Sequence, residues 1–148
     1  MHSINKTLTL FTLLLINLTA CVDPKAEQKK LQEEVMAVHD SLMMDMGKLS
    51  NSKEKLSLIL TKLDSIKTSQ SSLDTSNLKT TIFDAKLSLT KADDAMMDWM
   101  NGFNPDYTNK SEQEVEVYLK NQKTKIEEVK TLFKNSLFTS DSIITKYQ

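Results

Sequence analysis

The chain contains no arginine: its 19 basic residues are all lysine, set against 20 acids. A near-neutral chain without guanidinium groups has no basic surplus for phosphates and no bidentate reader of guanine, which argues against nucleic acid as a partner. The two glycines, Gly47 and Gly102, supply no glycine-rich loop to cradle a nucleotide phosphate. Two prolines, few aromatics and few β-branched runs make a sheet improbable. The single cysteine allows no internal disulfide. Of the two histidines, His2 stands at the extreme N-terminus, leaving His39 alone in the rest of the chain. Catalysis by a cysteine–histidine pair and a His/Cys zinc site both need more than this, and the chain is read as non-enzymatic. What remains is lysine, glutamate, serine and leucine in helical phase, over 148 residues, one domain's worth of chain. The expected fold class is all-α.

Residues 1–20 have the build of a signal peptide. Lys6 provides the positive start and Leu8–Leu18 a short apolar core, well below the ~20 residues of a membrane span. Leu18-Thr19-Ala20-Cys21 follows at once. These four residues resemble the lipobox of bacterial lipoproteins, in which cleavage falls before the cysteine and its thiol carries a diacylglycerol. The resemblance implies that Cys21 is acylated, so that the membrane is reached through lipid and the protein sits in the bacterial cell envelope. Residues 21–30 then read as a lipidated N-terminus and tether, and residues 31–148 as a helical bundle.

Three helices are expected, at about residues 25–67, 76–101 and 111–147. In the first, Leu31, Val35, Val38, Leu42, Met46, Leu49, Leu56, Ile59, Leu63 and Ile66 hold a seven-residue repeat. The repeat keeps phase across Gly47 and Asn51-Ser52, so it reads as one helix, with a break near Ser50–Ser52 as the alternative. Thr68–Ser76 reads as a polar loop. The second helix carries an unbroken ladder of four- and three-residue steps through Leu78, Ile82, Ala85, Leu89, Ala92, Met96, Trp99 and Phe103. Gly102 is placed at a left-handed C-terminal position, with Pro105 preventing resumption. Ser111-Glu112-Gln113-Glu114 matches a capping box at the start of the third helix. That helix places Val115, Leu119, Ile126, Val129, Phe133, Leu137, Ile144 and Tyr147 on one face, interrupted by Gln122 and Ser140 and loosened at Phe138–Ser142. Short connections between long amphipathic helices predict an antiparallel up-down-up three-helix bundle with coiled-coil-like packing and a long first helix. From the lengths, Lys25–Met36 would project toward the membrane, while Met96–Met100 would fold back beside His39–Met46.

That meeting is where the chain could carry chemistry. Met36, His39, Met43 and Met46 form one stripe on the first helix, and Met96, Trp99 and Met100 face it from the second. Thioethers and an imidazole suit Cu(I) or Ag(I), and an indole face adds attraction for a bound monovalent cation. The same residues also make good gap-fillers in a helical core, which is the leading reading of them. No other cofactor is expected. Asp93, Asp94 and Asp98, and Glu112, Glu114 and Glu116, read as solvated faces.

Two blocks, Glu34–Gly47 (EVMAVHDSLMMDMG) and Ala92–Tyr107 followed by YLKNQKTKIEEVK at Tyr118–Lys130, resemble a group of short bacterial envelope lipoproteins often labelled "viral A-type inclusion protein". The resemblance implies a lipoprotein and a helical bundle and brings no activity with it. The expected role is a non-catalytic, lipid-anchored structural or interaction module, with a protein partner or self-association; the rival is an anchored Cu(I)/Ag(I)-binding protein.

Overall fold

The computed structural model describes residues 23–147; Leu8–Leu18 and Cys21 lie outside the described residues. About 87% of it is helical, with no strand among the described residues. Four helices follow in order: α1 (Pro24–Thr61), α2 (Leu63–Ser69), α3 (Thr75–Gly102) and α4 (Glu112–Tyr147).

Each start has a local cause. The Asp23 side chain accepts from the Lys25 amide and Pro24 occupies the first turn of α1, where its missing N–H costs nothing. Asp74 accepts from the Asn77 amide at the start of α3. At α4 the capping box closes both ways. The Glu114 carboxylate takes the Ser111 amide at 2.8 Å, while the Glu114 amide donates back to the Ser111 hydroxyl.

α1 runs unbroken through Gly47 and Asn51-Ser52. The interruption falls at Lys62 instead, short of the expected end at 67. There the Lys62 amide bonds to the Ile59 carbonyl, one residue tighter than the helical pattern, and the Thr61 hydroxyl takes the Leu58 carbonyl. The tightened turn redirects the chain into α2, whose Leu63 and Ile66 still pack on the core. The Lys67 ammonium then bonds the Ser71 and Leu73 carbonyls, closing the loop with a cation at a helix C-terminus.

The other end of α3 departs from expectation. Gly102 belongs to the helix, and no glycine has positive φ. The chain leaves through Phe103 in an extended conformation (φ −81°, ψ 120°), held by packing of the Phe103 ring against Trp99 and Tyr118. The left-handed residue of this connection is Asn109, at φ 80°, a side chain that tolerates that region. The third-helix stretch Phe138–Ser142 stays helical, with the Ser140 and Ser142 hydroxyls folded back on the Leu137 and Phe138 carbonyls.

The core is the sum of the seams. Leu78, Ile82, Ala85, Leu89, Ala92, Met96 and Trp99 of α3 are all buried, as are Val35, Leu42, Leu49, Leu56 and Ile59 of α1. Ile126, Val129, Phe133, Ile143 and Ile144 of α4 complete the main cluster. A second, smaller cluster joins Leu31 of α1 to Val115 and Leu119 of α4. The start of α1 therefore does not project beyond the other helices as its length had implied: α4 begins early enough to cover it, and the Gln28 amide donates to the Glu112 carbonyl. Polar ties fix the pairing. Lys53–Asp93 and Lys86–Ser57 join α1 to α3, and Lys123–Glu34 joins α1 to α4.

Candidate functional site

The residues read as a soft-metal set divide between two environments. Met96 and Trp99 are buried members of the main core, and Met46 and Met100 pack against it half-buried. Met36 and Met43 lie outside that cluster; Met36 is half-buried and Met43 exposed. His39 meets Trp99, with ring centroids 5.6 Å apart at a tilt of 37°. The packing of α3 against α1 thus brings together the imidazole and the indole. The His39 Nδ1 lies 2.9 Å from the carboxylate of exposed Asp40, its neighbour in sequence. Among the described residues no three His, Cys, Asp or Glu side chains gather in a metal-binding group, so any metal here would depend on thioether sulfur and the one imidazole.

The contact belongs to a longer aromatic chain that spacing alone had not revealed. Trp99 stacks on Phe103 at 5.0 Å, Phe103 reaches Tyr118 at 6.2 Å, and Tyr118 meets Tyr107 edge-on at 5.9 Å. It crosses from α1 through the end of α3 and its connection to α4. The Tyr118 hydroxyl accepts the Asn104 amide at 2.7 Å, pinning the connection where the backbone leaves α3. Tyr107 has a buried hydroxyl without a partner, and burial, with a smaller contribution from Tyr118, raises its pKa above the usual phenolic value. Offset rings add to their area burial, which accounts for the extended exit at Phe103.

On the far side of Trp99, between α3 and α4, lies a cavity of about 350 Å³ lined in part by Asp98, Trp99, Gln122, Lys125 and Glu128. Gln122 is only 5% exposed, and its side-chain amide makes no hydrogen bond to another described residue. The Trp99 indole N–H, by contrast, is fully buried without an acceptor. Sequence spacing had marked Gln122 as an interruption of the α4 seam, but nothing local shows that it faces an open space beside the tryptophan.

The acids divide as well. Asp93 is half-buried against Lys53, whereas Asp94 and Asp98 are exposed. Glu34, joined to Lys123 across α1 and α4, has its pKa lowered chiefly by that hydrogen bond, and the Lys123 pKa is raised by the same bond. Glu114 is lowered by the hydrogen bonds from Ser111. These shifts mark structural ties on the surface.

No helix among the described residues is long and apolar enough to cross a membrane. No protein-family model, no curated protein and no solved structure matches the chain.

Proposed function

We propose that this is a non-catalytic, lipid-anchored helical-bundle protein of the bacterial cell envelope, serving as a structural or interaction module. The observation that carries the reading is the lipobox-like Leu18-Thr19-Ala20-Cys21 standing directly before the Asp23–Pro24 helix start. Acylation at Cys21 would supply the membrane affinity, two or more acyl chains being needed for stable anchoring, and would place the start of α1 at the lipid surface. The order of the polar ties, with Lys53 and Ser57 meeting Asp93 and Lys86, and Gln28 and Glu34 meeting Glu112 and Lys123, supports an up-down-up arrangement of α1, α3 and α4. The recurring three- and four-residue steps of the seams support coiled-coil-like packing. The resemblance to the short envelope lipoproteins points the same way. An interaction surface has material to work with: Met44 and Phe138 are 77% and 74% exposed, and Met43, Phe83, Leu87 and Met97 are exposed as well. Metabolic labelling with palmitate, followed by fractionation, tests the anchor. Label and membrane association should both disappear in Cys21→Ser; a variant that stays membrane-bound would sink the reading.

The second reading is an anchored Cu(I)/Ag(I)-binding protein, favoured by the approach of His39 to Trp99 beside the half-buried Met46 and Met100. Thioether and imidazole donors match a soft monovalent cation. Equilibrating the protein with Cu(I) against a chelator tests it. Retained copper that is lost in His39→Ala/Met46→Leu supports binding here; retention unaffected by that variant removes this site.

A further inference from the structure

The cavity between α3 and α4 has the chemistry of a recognition site. Buried amide side chains are hydrogen-bonded as a rule, because an unmet donor or acceptor forfeits its hydration without return. The indole N–H of Trp99 breaks that rule, and the neighbouring Gln122, only 5% exposed as a residue, has no hydrogen-bond partner among the described residues and keeps its amide open to the cavity. The other buried polar residues of α4 have partners: Ser136 and Ser140 donate to the Phe133 and Leu137 carbonyls of their own helix. An unpartnered amide at an otherwise apolar seam position therefore singles out this one place along α4.

What surrounds Gln122 specifies the ligand. Asp98 from α3 and Glu128 from α4 bring two carboxylates, and Lys125 brings one ammonium; all three are exposed, and none forms an ion pair with another described residue. Val129, Leu132 and the indole supply apolar wall between them. Free charges of both signs around a buried amide match a molecule carrying both signs itself. Its size is set by the space: about 350 Å³ falls at the lower end of the ~300–1,000 Å³ of ligand pockets.

We infer that this cavity binds a small zwitterion with an apolar side chain, the chemistry of a free α-amino acid such as leucine or phenylalanine. The carboxylate accepts from the Gln122 amide and the Lys125 ammonium. The ligand ammonium lies between Asp98 and Glu128, and the side chain rests on Val129, Leu132 and the indole. Binding is non-covalent and independent of whether Cys21 is acylated, so it stands or falls separately from the anchor.

Trp99 is the only tryptophan and lines the cavity, so its fluorescence reports directly on occupancy. The detergent-solubilised full chain is titrated with L-leucine, L-phenylalanine, 4-methylpentanoate (leucine without its amine) and 3-methylbutylamine (leucine without its carboxylate). A saturable change in Trp99 emission, together with a rise in Tm, is expected for at least one of the amino acids. Each one-charge analogue should bind leucine's site about tenfold or more weakly, as the loss of one charge-assisted contact implies. Gln122→Leu and the surface change Lys125→Met should each weaken amino-acid binding about tenfold, with the helical circular dichroism retained. Absence of saturable binding by either amino acid at millimolar concentration overturns the inference. So does equal binding of the one-charge analogues, or undiminished affinity in Lys125→Met, a variant whose exposed position leaves folding intact.

Discussion

The seams of α3 and α4 have the same spacing and different contents. Leu78 to Trp99 in α3 is apolar at every buried step, whereas α4 buries Gln122, Ser136 and Ser140 among its aliphatic and aromatic residues. The two serines lose little by burial, since each hydroxyl folds onto a carbonyl three residues back in its own helix. A glutamine cannot close that short a loop comfortably, and Gln122 ends at a cavity instead. A polar residue in a helical seam is thus tolerated in one of two ways, by local satisfaction or by an open space beside it.

The largest effects should come from the apolar parts of both seams. Phe133→Ala in α4 should cost about 3–5 kcal/mol and Leu89→Ala in α3 about 2–5 kcal/mol in urea unfolding, because both are essentially inaccessible and leave cavities. Ser140→Ala, although just as deeply buried, should shift the midpoint by no more than about 1 kcal/mol, since the Leu137 carbonyl keeps its place in the helix. A cost matching Leu89→Ala would break the distinction. Ser111→Ala, which removes the hydroxyl half of the α4 capping box, should cost about 1 kcal/mol by the same measurement. Gly47→Ala should stabilise by about 0.5–1 kcal/mol, since a Cβ there meets nothing within 4 Å and the residue sits inside a continuous helix; a loss of stability would mean that α1 needs its freedom there. The smallest effect is that of pH. Glu34, Glu114 and Asp106 have folded pKa values lowered by hydrogen bonds, so the stability they add is complete above their ordinary values of 4.5, 4.5 and 3.8. It is lost as pH falls through the lower, folded values. Lys123 and Lys120 act oppositely: their raised pKa values add stability below the ordinary 10.5 that disappears as pH rises through the folded value. Urea midpoints measured across the acid range should fall with Glu34 present, and the fall should be smaller in Glu34→Gln.

The α3 ladder could be read residue by residue because burial of one helix face leaves its period directly in the sequence. The capping box was equally legible, since Ser111 and Glu114 satisfy each other within one turn. Gly102 misled for an instructive reason. Glycine before a proline-bearing connection is a common left-handed cap, but the aromatic chain from Trp99 through Phe103 to Tyr118 draws the backbone out in an extended path. Part of that preference comes from Tyr118, a residue on another helix. The break at Lys62 is similar: the heptad repeat runs on into Leu63 and Ile66, which still pack on the core, so the seam carries no sign of the interruption.

The candidate site was partly legible. Methionine, histidine and tryptophan spacing, with helix lengths, anticipated that α3 returns to His39, and the rings meet at 5.6 Å. Spacing had put Met96 on the α3 ladder and Met43 off the α1 repeat, and the first is buried and the second exposed; how far Met36 and Met100 are covered depends on how closely the neighbouring helix approaches.

The sequence by itself determined the helical class, the buried ladder of α3 and the capping box that starts α4, all of which follow from periodicity and contacts a few residues long. Only the tertiary structure decided where α1 is interrupted, which rings stack across elements, and that Gln122 and Trp99 share a cavity with charges of both signs. Those are relations between residues far apart in the chain, set by the phase in which whole helices pack, and no local pattern encodes that phase.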